Sequence, residues 1–262
     1  MKLGFLTDGT VEDVEFAAEH GFGCLEVALF GDSPLYEDSD DFKQACDDAG
    51  IPISAVSLFG QKLFGPDEDA VQEGRDTFNA ASDLAARLGA PVFVAGSADY
   101  EDIDRPDQWQ MVIDEMGPMI ADVQNKGLKY AFYNCHWENV VNTPEAWARV
   151  LPFIPGAGIK FDPSHPVYAG QDWMPHMWKA GKNILHTHAK DTLWIDGERI
   201  PDPNPGLGQM NWGAFFGILY QLEIDVDVCI EPHSWVYTGD KRYPALLLSK
   251  RHLEQFMMPE ID

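Results

Sequence analysis

His186-Thr187-His188-Ala189-Lys190-Asp191 follows the short apolar run that begins at Ile184 and precedes a helical pattern. It reads as the carboxyl end of a buried strand that delivers imidazole, ammonium and carboxylate groups to one place. Three further stretches are built alike: Tyr133-Asn134-Cys135-His136-Trp137-Glu138, Asp162-Pro163-Ser164-His165 and Glu231-Pro232-His233. Each follows a short β-branched or apolar run, so all four fall where a β/α barrel gathers its chemistry, on the rim at the carboxyl ends of its strands.

Working outward, eight strand-then-helix units can be counted. The expected strands are Leu3 to Thr7, Cys24 to Leu29, Ile53 to Leu58, Val92 to Ala95, Lys129 to Tyr133, Gly158 to Phe161, Ile184 to His188 and Val226 to Glu231. Between them lie amphipathic stretches such as Asp69 to Leu88, where Val71, Phe78, Ala81, Ala85 and Leu88 make one buried stripe before Gly89 ends the helix. Thr10 followed by Glu12 and Asp13, and Thr143 followed by Pro144 and Glu145, are helix starts. The alternation predicts an α/β fold, a single (β/α)8 TIM barrel over residues 1–262. An open doubly wound sheet alternates in the same way, but Leu6-Thr7-Asp8-Gly9-Thr10 lacks the glycine-rich phosphate turn that such a sheet places after its first strand. Phe59 to Pro66, Ala98 to Pro106 and Leu193 to Gly208 read as irregular rim loops, the last long enough to cover a site.

Composition narrows the function. A formal charge of −25, from 43 acidic and 18 basic residues, disfavours nucleic acid, whose binding rests on cationic neutralisation of phosphates. No apolar run reaches the ~18 residues of a membrane span. The first strand begins at once with Met1-Lys2-Leu3-Gly4-Phe5-Leu6, without a charged and then apolar leader, so neither membrane insertion nor secretion is expected. Cys24, Cys46, Cys135 and Cys229 are widely spaced and form no Cys-x-x-Cys pair, in keeping with a reducing cytoplasm. A homo-oligomer is compatible with the sequence, which does not fix the state of assembly.

Asp162, His188 and Glu231 end the sixth, seventh and eighth expected strands, so barrel closure would make them neighbours above the mouth. A carboxylate and imidazole set without a thiolate cluster suits one divalent ion of the Mn²⁺, Mg²⁺, Co²⁺ or Zn²⁺ type. Trp137, Trp235 and Tyr133 offer aromatic walls for a sugar ring. His233 stands beside Glu231 as a substrate contact, and Glu26, inside strand two, could hold a substrate hydroxyl or another side chain of the site.

Phe161-Asp162-Pro163-Ser164-His165, His186-Thr187-His188-Ala189-Lys190-Asp191-Thr192, Gly206-Leu207-Gly208 before Trp212, and Ile230-Glu231 resemble the sugar phosphate isomerase/epimerase family, which has the xylose isomerase-like TIM barrel. The resemblance implies that Asp162, His188 and Glu231 bind a divalent metal and that His165, one helical turn further along, holds substrate or metal. It also implies that Glu231 acts as acid/base. A glutamate at the end of strand five belongs to the family's pattern; here Tyr133 stands in that place, and tyrosine is a poor base near neutral pH. His136 is then a candidate proton carrier and Glu138 a candidate fourth metal ligand, each within reach if the strand extends or bulges. Lys190 could stabilise the developing oxyanion, or else pair with Asp191 or another acid near the rim.

These residues predict a sugar isomerase or epimerase that removes a proton beside the carbonyl of a small ketose or keto sugar while the metal stabilises the enediolate. A lyase or dehydratase needs only one base and is the alternative that Tyr133 favours. A sugar-binding relative without catalysis is another. A DNA-repair endonuclease on a similar barrel is opposed by the acidity.

Overall fold

The parallel strands form where the β-branched and apolar runs predict them. They are β1 (Leu3–Thr7), β2 (Cys24–Leu29), β3 (Ile53–Leu58), β4 (Val92–Ala95), β5 (Lys129–Tyr133), β6 (Gly158–Phe161), β7 (Ile184–Ala189) and, beyond a small hairpin, β10 (Val228–Ile230). In the computed structural model, which describes residues 1–259, they close into a barrel in the order β1-β10-β7-β6-β5-β4-β3-β2. The doubly wound alternative is thereby excluded. Every residue of β2, β3, β4 and β6 is buried, because helices cover one face and barrel contents the other.

The helices are α1 (Val11–Glu19), α2 (Asp40–Ala49), α3 (Glu68–Leu88), α4 (Arg105–Met111), α5 (Gly117–Asn125), α6 (Pro144–Val150), α7 (Ser164–Tyr168), α8 (Trp173–Ala180), α9 (Trp212–Gln221) and α10 (Arg242–Leu253). Both expected caps are made: Thr10 Oγ1 accepts from Asp13 N and Thr143 Oγ1 from Ala146 N, each at 3.2 Å. Gly89, at φ 75°, ends α3 in the left-handed conformation that glycine adopts without strain. One hydrophobic layer joins strands to helices through residues such as Phe5, Phe22, Phe78, Phe93 and Phe161. A smaller cluster, Ala55, Val92, Val94, Ala131 and Tyr133, packs apart from it. No helix of the described residues is long and apolar enough to cross a membrane.

The rim loop after β7 departs from the expectation of irregular chain. Leu193–Ile195 (β8) and Glu198–Ile200 (β9) pair as an antiparallel hairpin. Asp196 and Gly197 turn it with φ of 54° and 82°, the left-handed pair that suits a two-residue turn.

Asp191 anchors the rest of that loop. Its carboxylate accepts from the amides of Thr192, Gly206, Gly208 and Met210 and from the Trp212 indole. A Cβ on Gly208 would lie 2.3 Å from Asp191 Oδ1, so the second glycine of Gly206-Leu207-Gly208 is what allows the backbone this close.

Candidate active site

Barrel closure brings Asp162, His188 and Glu231 together. One ligand atom from each lies within 4.8 Å of the others. Asp162 directly follows β6, His188 lies in β7, and Glu231 directly follows β10, whose order is kept by the Glu231 N to Ala189 O bond of 3.1 Å. Asp162 is clamped from two sides. Asn134, at the end of β5, accepts from Asp162 N and donates to Asp162 O, both at 2.8 Å. Ser164 N and Oγ donate to Oδ1 at 2.8 and 2.7 Å. Oδ2 is thus left fully buried without a hydrogen bond of its own, facing the Lys190 ammonium at 3.1 Å and His165 Nε2 at 3.3 Å.

His188 has both ring nitrogens engaged by carboxylates. Nε2 lies 2.7 Å from Glu26 Oε2, and Nδ1 lies 3.0 Å from Glu231 Oε2. Glu26 also accepts from Ser57 Oγ at 2.5 Å and faces His186 Nε2 at 2.6 Å. Burial alone would push the Glu26 carboxyl up, but His188 and His186 outweigh it and hold it well below the usual carboxylate range. Burial lowers His188, yet Glu26 and Glu231 raise it on balance. Carboxylates at both nitrogens thus fix the orientation of the ring.

Lys190 does not pair with Asp191. Its ammonium, 2 % exposed, sits between Asp162 Oδ2 at 3.1 Å and Glu231 Oε2 at 3.0 Å. Burial works against its charge, and the two carboxylates restore it and raise it above the ordinary lysine value. The same contact holds Asp162 and Glu231 well below theirs, against the effect of burial. Burial and the neighbouring ammonium lower His165 to about 4, so its imidazole is neutral near pH 7.

The remaining candidates divide. A cavity of about 250 Å³ at the mouth is lined by Tyr133, Trp137, His165, Lys190, Glu231 and His233 among others. His233 is half exposed, with Nδ1 3.3 Å from Asp202 Oδ2. The Tyr133 hydroxyl donates to Trp137 O at 3.1 Å, and burial pushes the phenol far up. His136 is exposed and lines an adjoining cleft with Asn134, His165 and Tyr168; it lies outside the central cavity. Glu138 joins none of the clusters of potential ligand atoms among the described residues. Its own φ of 45° turns the chain there, and its charge bears on Tyr100 and Tyr133. The strand neither extends nor bulges enough to carry it to Asp162. Trp235, 76 % exposed, is not part of the cavity wall.

Two contributors escape the motif reading. Asn134 was visible only as a member of its segment. Lys160 lies inside β6, 1 % exposed and on the cavity wall, where a lysine in a buried strand was the available signal.

The donor set fits a divalent ion: two carboxylates and an imidazole converge.

Residues 14–247 match the family of xylose isomerase-like TIM barrels. The chain belongs to that family. Its sequence is 25 % identical to the uncharacterized protein YfiH of Bacillus subtilis (strain 168), over 88 % of this chain and 92 % of that protein. Among solved structures, 3-keto-D-glucoside 4-epimerase, YcjR, from E. coli superposes with a TM-score of 0.80 at 16 % identity, covering 97 % of this chain and 99 % of the other. The IolI protein with a bound zinc atom superposes with a TM-score of 0.79 at 20 % identity, covering 98 % and 99 %. At these identities the likeness establishes the barrel fold alone.

Proposed function

We propose that the protein is a divalent-metal-dependent isomerase or epimerase of a small keto sugar, with Asp162, His188 and Glu231 holding the ion. The observation that carries this reading is the convergence of these groups, with one ligand atom from each within 4.8 Å of the others. The zinc-containing IolI barrel and the sugar epimerase YcjR share the fold and support it. The ion, when bound, would act as a Lewis acid on a carbonyl and a neighbouring hydroxyl oxygen.

This chain's residues supply the rest. Glu231 is the proton carrier: Oε2 is oriented by His188 and Lys190, and the side chain lies on the cavity wall. Lys190 keeps positive charge where the oxyanion develops. His165, neutral, is a hydrogen-bond partner for a hydroxyl. Trp137 and Tyr133 wall the ring, and His233 stands at the edge.

Tyr133 cannot serve as a second base and His136 lies in the next cleft, so proton transfer falls to Glu231 on one face. That favours isomerisation by a single base over epimerisation through two. It also sustains a second reading, a lyase or dehydratase on a keto sugar, for which one base suffices. Incubation of keto sugars with metal-loaded protein in deuterated buffer tests both. Carbon-bound deuterium in a product of otherwise unchanged composition supports isomerisation, and loss of water supports elimination. Absence of both across ketoses, keto-uronates and their phosphates would overturn the proposal.

A further inference from the structure

Lys160 is a buried lysine that the proposed proton transfer leaves without a task. It sits in β6 two residues before Asp162, paired in register with Tyr133 on β5 and His186 on β7. It is 1 % exposed, and it lines the mouth cavity. The other charged groups there are in direct contact with one another. Lys190 has Asp162 and Glu231 within 3.1 Å, and Glu26 has His186 and His188 within 2.7 Å. No carboxylate of the described residues lies within the 4.0 Å ion-pair limit of Lys160. Its Nζ lies 6.0 Å from the centre of the Phe59 ring, and its charge reaches Asp162 and Glu231 without direct contact. Asp8, the other acid on the wall, is exposed and bears on Arg242.

An ammonium withdrawn from water without a contacting counterion is costly, and an ion at Asp162 and Glu231 would draw off the negative charge that these carboxylates direct toward Lys160. A divalent ion at Asp162, His188 and Glu231 would add two further positive charges and make the cavity cationic. We propose that Lys160 binds a carboxylate of the substrate, so that the sugar is an acid, a keto-uronate or keto-aldonate, and not a neutral ketose. This rests on the isomerase reading and names the substrate class for the same site. A phosphate is a poorer match: its several acceptor oxygens call for several donors, whereas no arginine lines this wall. The cavity of about 250 Å³ is at the small end of ligand pockets, which run to roughly 300–1,000 Å³, and suits one sugar acid.

Calorimetric binding of unreactive probes to Mn²⁺-loaded protein tests this without turnover. The probes are D-gluconate, D-glucitol and D-glucitol 6-phosphate. The wild type is expected to favour gluconate over glucitol, and Lys160→Met to cut that preference by about 10- to 100-fold, the worth of one charge-assisted hydrogen bond. Lys160→Arg, which keeps the charge, should retain part of it. Melting temperature and metal content of both variants establish that barrel and ion are intact, and a variant that fails to fold is replaced by Lys160→Gln. Equal binding of gluconate and glucitol by the wild type, tighter binding of the phosphate than of gluconate, or an unchanged preference in Lys160→Met would each overturn the assignment. Loss of metal binding by the wild type would instead strike the isomerase reading, so the two failures are distinguishable.

Discussion

Replacing Lys190 by Met removes the ammonium that lies 3.1 Å from Asp162 and 3.0 Å from Glu231 and leaves two buried carboxylates facing each other. Truncating one partner of a buried ion pair costs about 3–5 kcal/mol, because the charge left behind is uncompensated. In a domain of this size 1 kcal/mol moves the midpoint by roughly 2–4 °C, so metal-free Lys190→Met should melt about 6–20 °C below the wild type at pH 7. The sign with pH follows from the directions of the shifts. In the wild type Asp162 and Glu231 are depressed, so the stability they contribute is present at neutral pH and is lost as pH falls below the ordinary carboxylate range. Without Lys190 burial dominates and both rise, so at low pH, where they are protonated, the variant no longer carries the penalty. The gap in melting temperature should therefore be widest near pH 7 and narrow toward pH 4. A divalent ion should rescue the variant, by about 2.7 kcal/mol at a hundredfold excess over its dissociation constant. Scanning calorimetry from pH 4 to 8, with chelator and with Mn²⁺, reads all three effects. A midpoint within 2 °C of wild type across that range would refute the claim that Lys190 neutralises these carboxylates.

Other substitutions address the surroundings. Glu26→Gln should weaken metal affinity about 10- to 100-fold by loosening the orientation of the His188 ring, read by calorimetric titration; unchanged affinity would remove Glu26 from the site. Tyr133→Phe should keep kcat within about threefold and cost about 1 kcal/mol of stability through the lost bond to Trp137 O, whereas a hundredfold loss of kcat would restore Tyr133 as a proton carrier. Asp191→Ala strips the acceptor from four amides and an indole, and should speed amide exchange across residues 193–208 while destabilising the protein by about 3 kcal/mol or more. Exchange as slow as in the wild type would mean that the loop is held elsewhere.

The strands were legible because buried parallel strands are short, apolar and β-branched, and the first six form over the expected residues. At β10 the expected Val226 to Glu231 narrows to Val228–Ile230, although Glu231 N still donates to Ala189 O of β7. The hairpin β8–β9 was hidden by strands of three residues. The Asp196-Gly197 pair was its one signal, and three prolines and two glycines downstream gave the stretch the look of irregular chain.

The core of the site, Asp162, His188 and Glu231, could be read because strand order alone makes adjacent strand ends neighbours. What surrounds it depends on directions that spacing does not carry. Lys190 lies beside Asp191 in sequence yet points to Asp162, because Asp191 is consumed by amides of the following loop. His136 and Glu138 follow a strand whose end gives way to a loop turned by Glu138 itself, so His136 faces the adjoining cleft beside Cys135 and His165, and Glu138 joins no ligand cluster among the described residues. Trp235 adjoins the site in sequence but begins a short exposed turn.

Metal stoichiometry tests the core of this reading most directly. Elemental analysis of purified protein reconstituted with Mn²⁺, Mg²⁺, Co²⁺ or Zn²⁺ should find about one ion per chain in the wild type and a large loss in each of Asp162→Ala, His188→Ala and Glu231→Ala, with the fold retained by circular dichroism. Metal content undiminished in all three variants would contradict it.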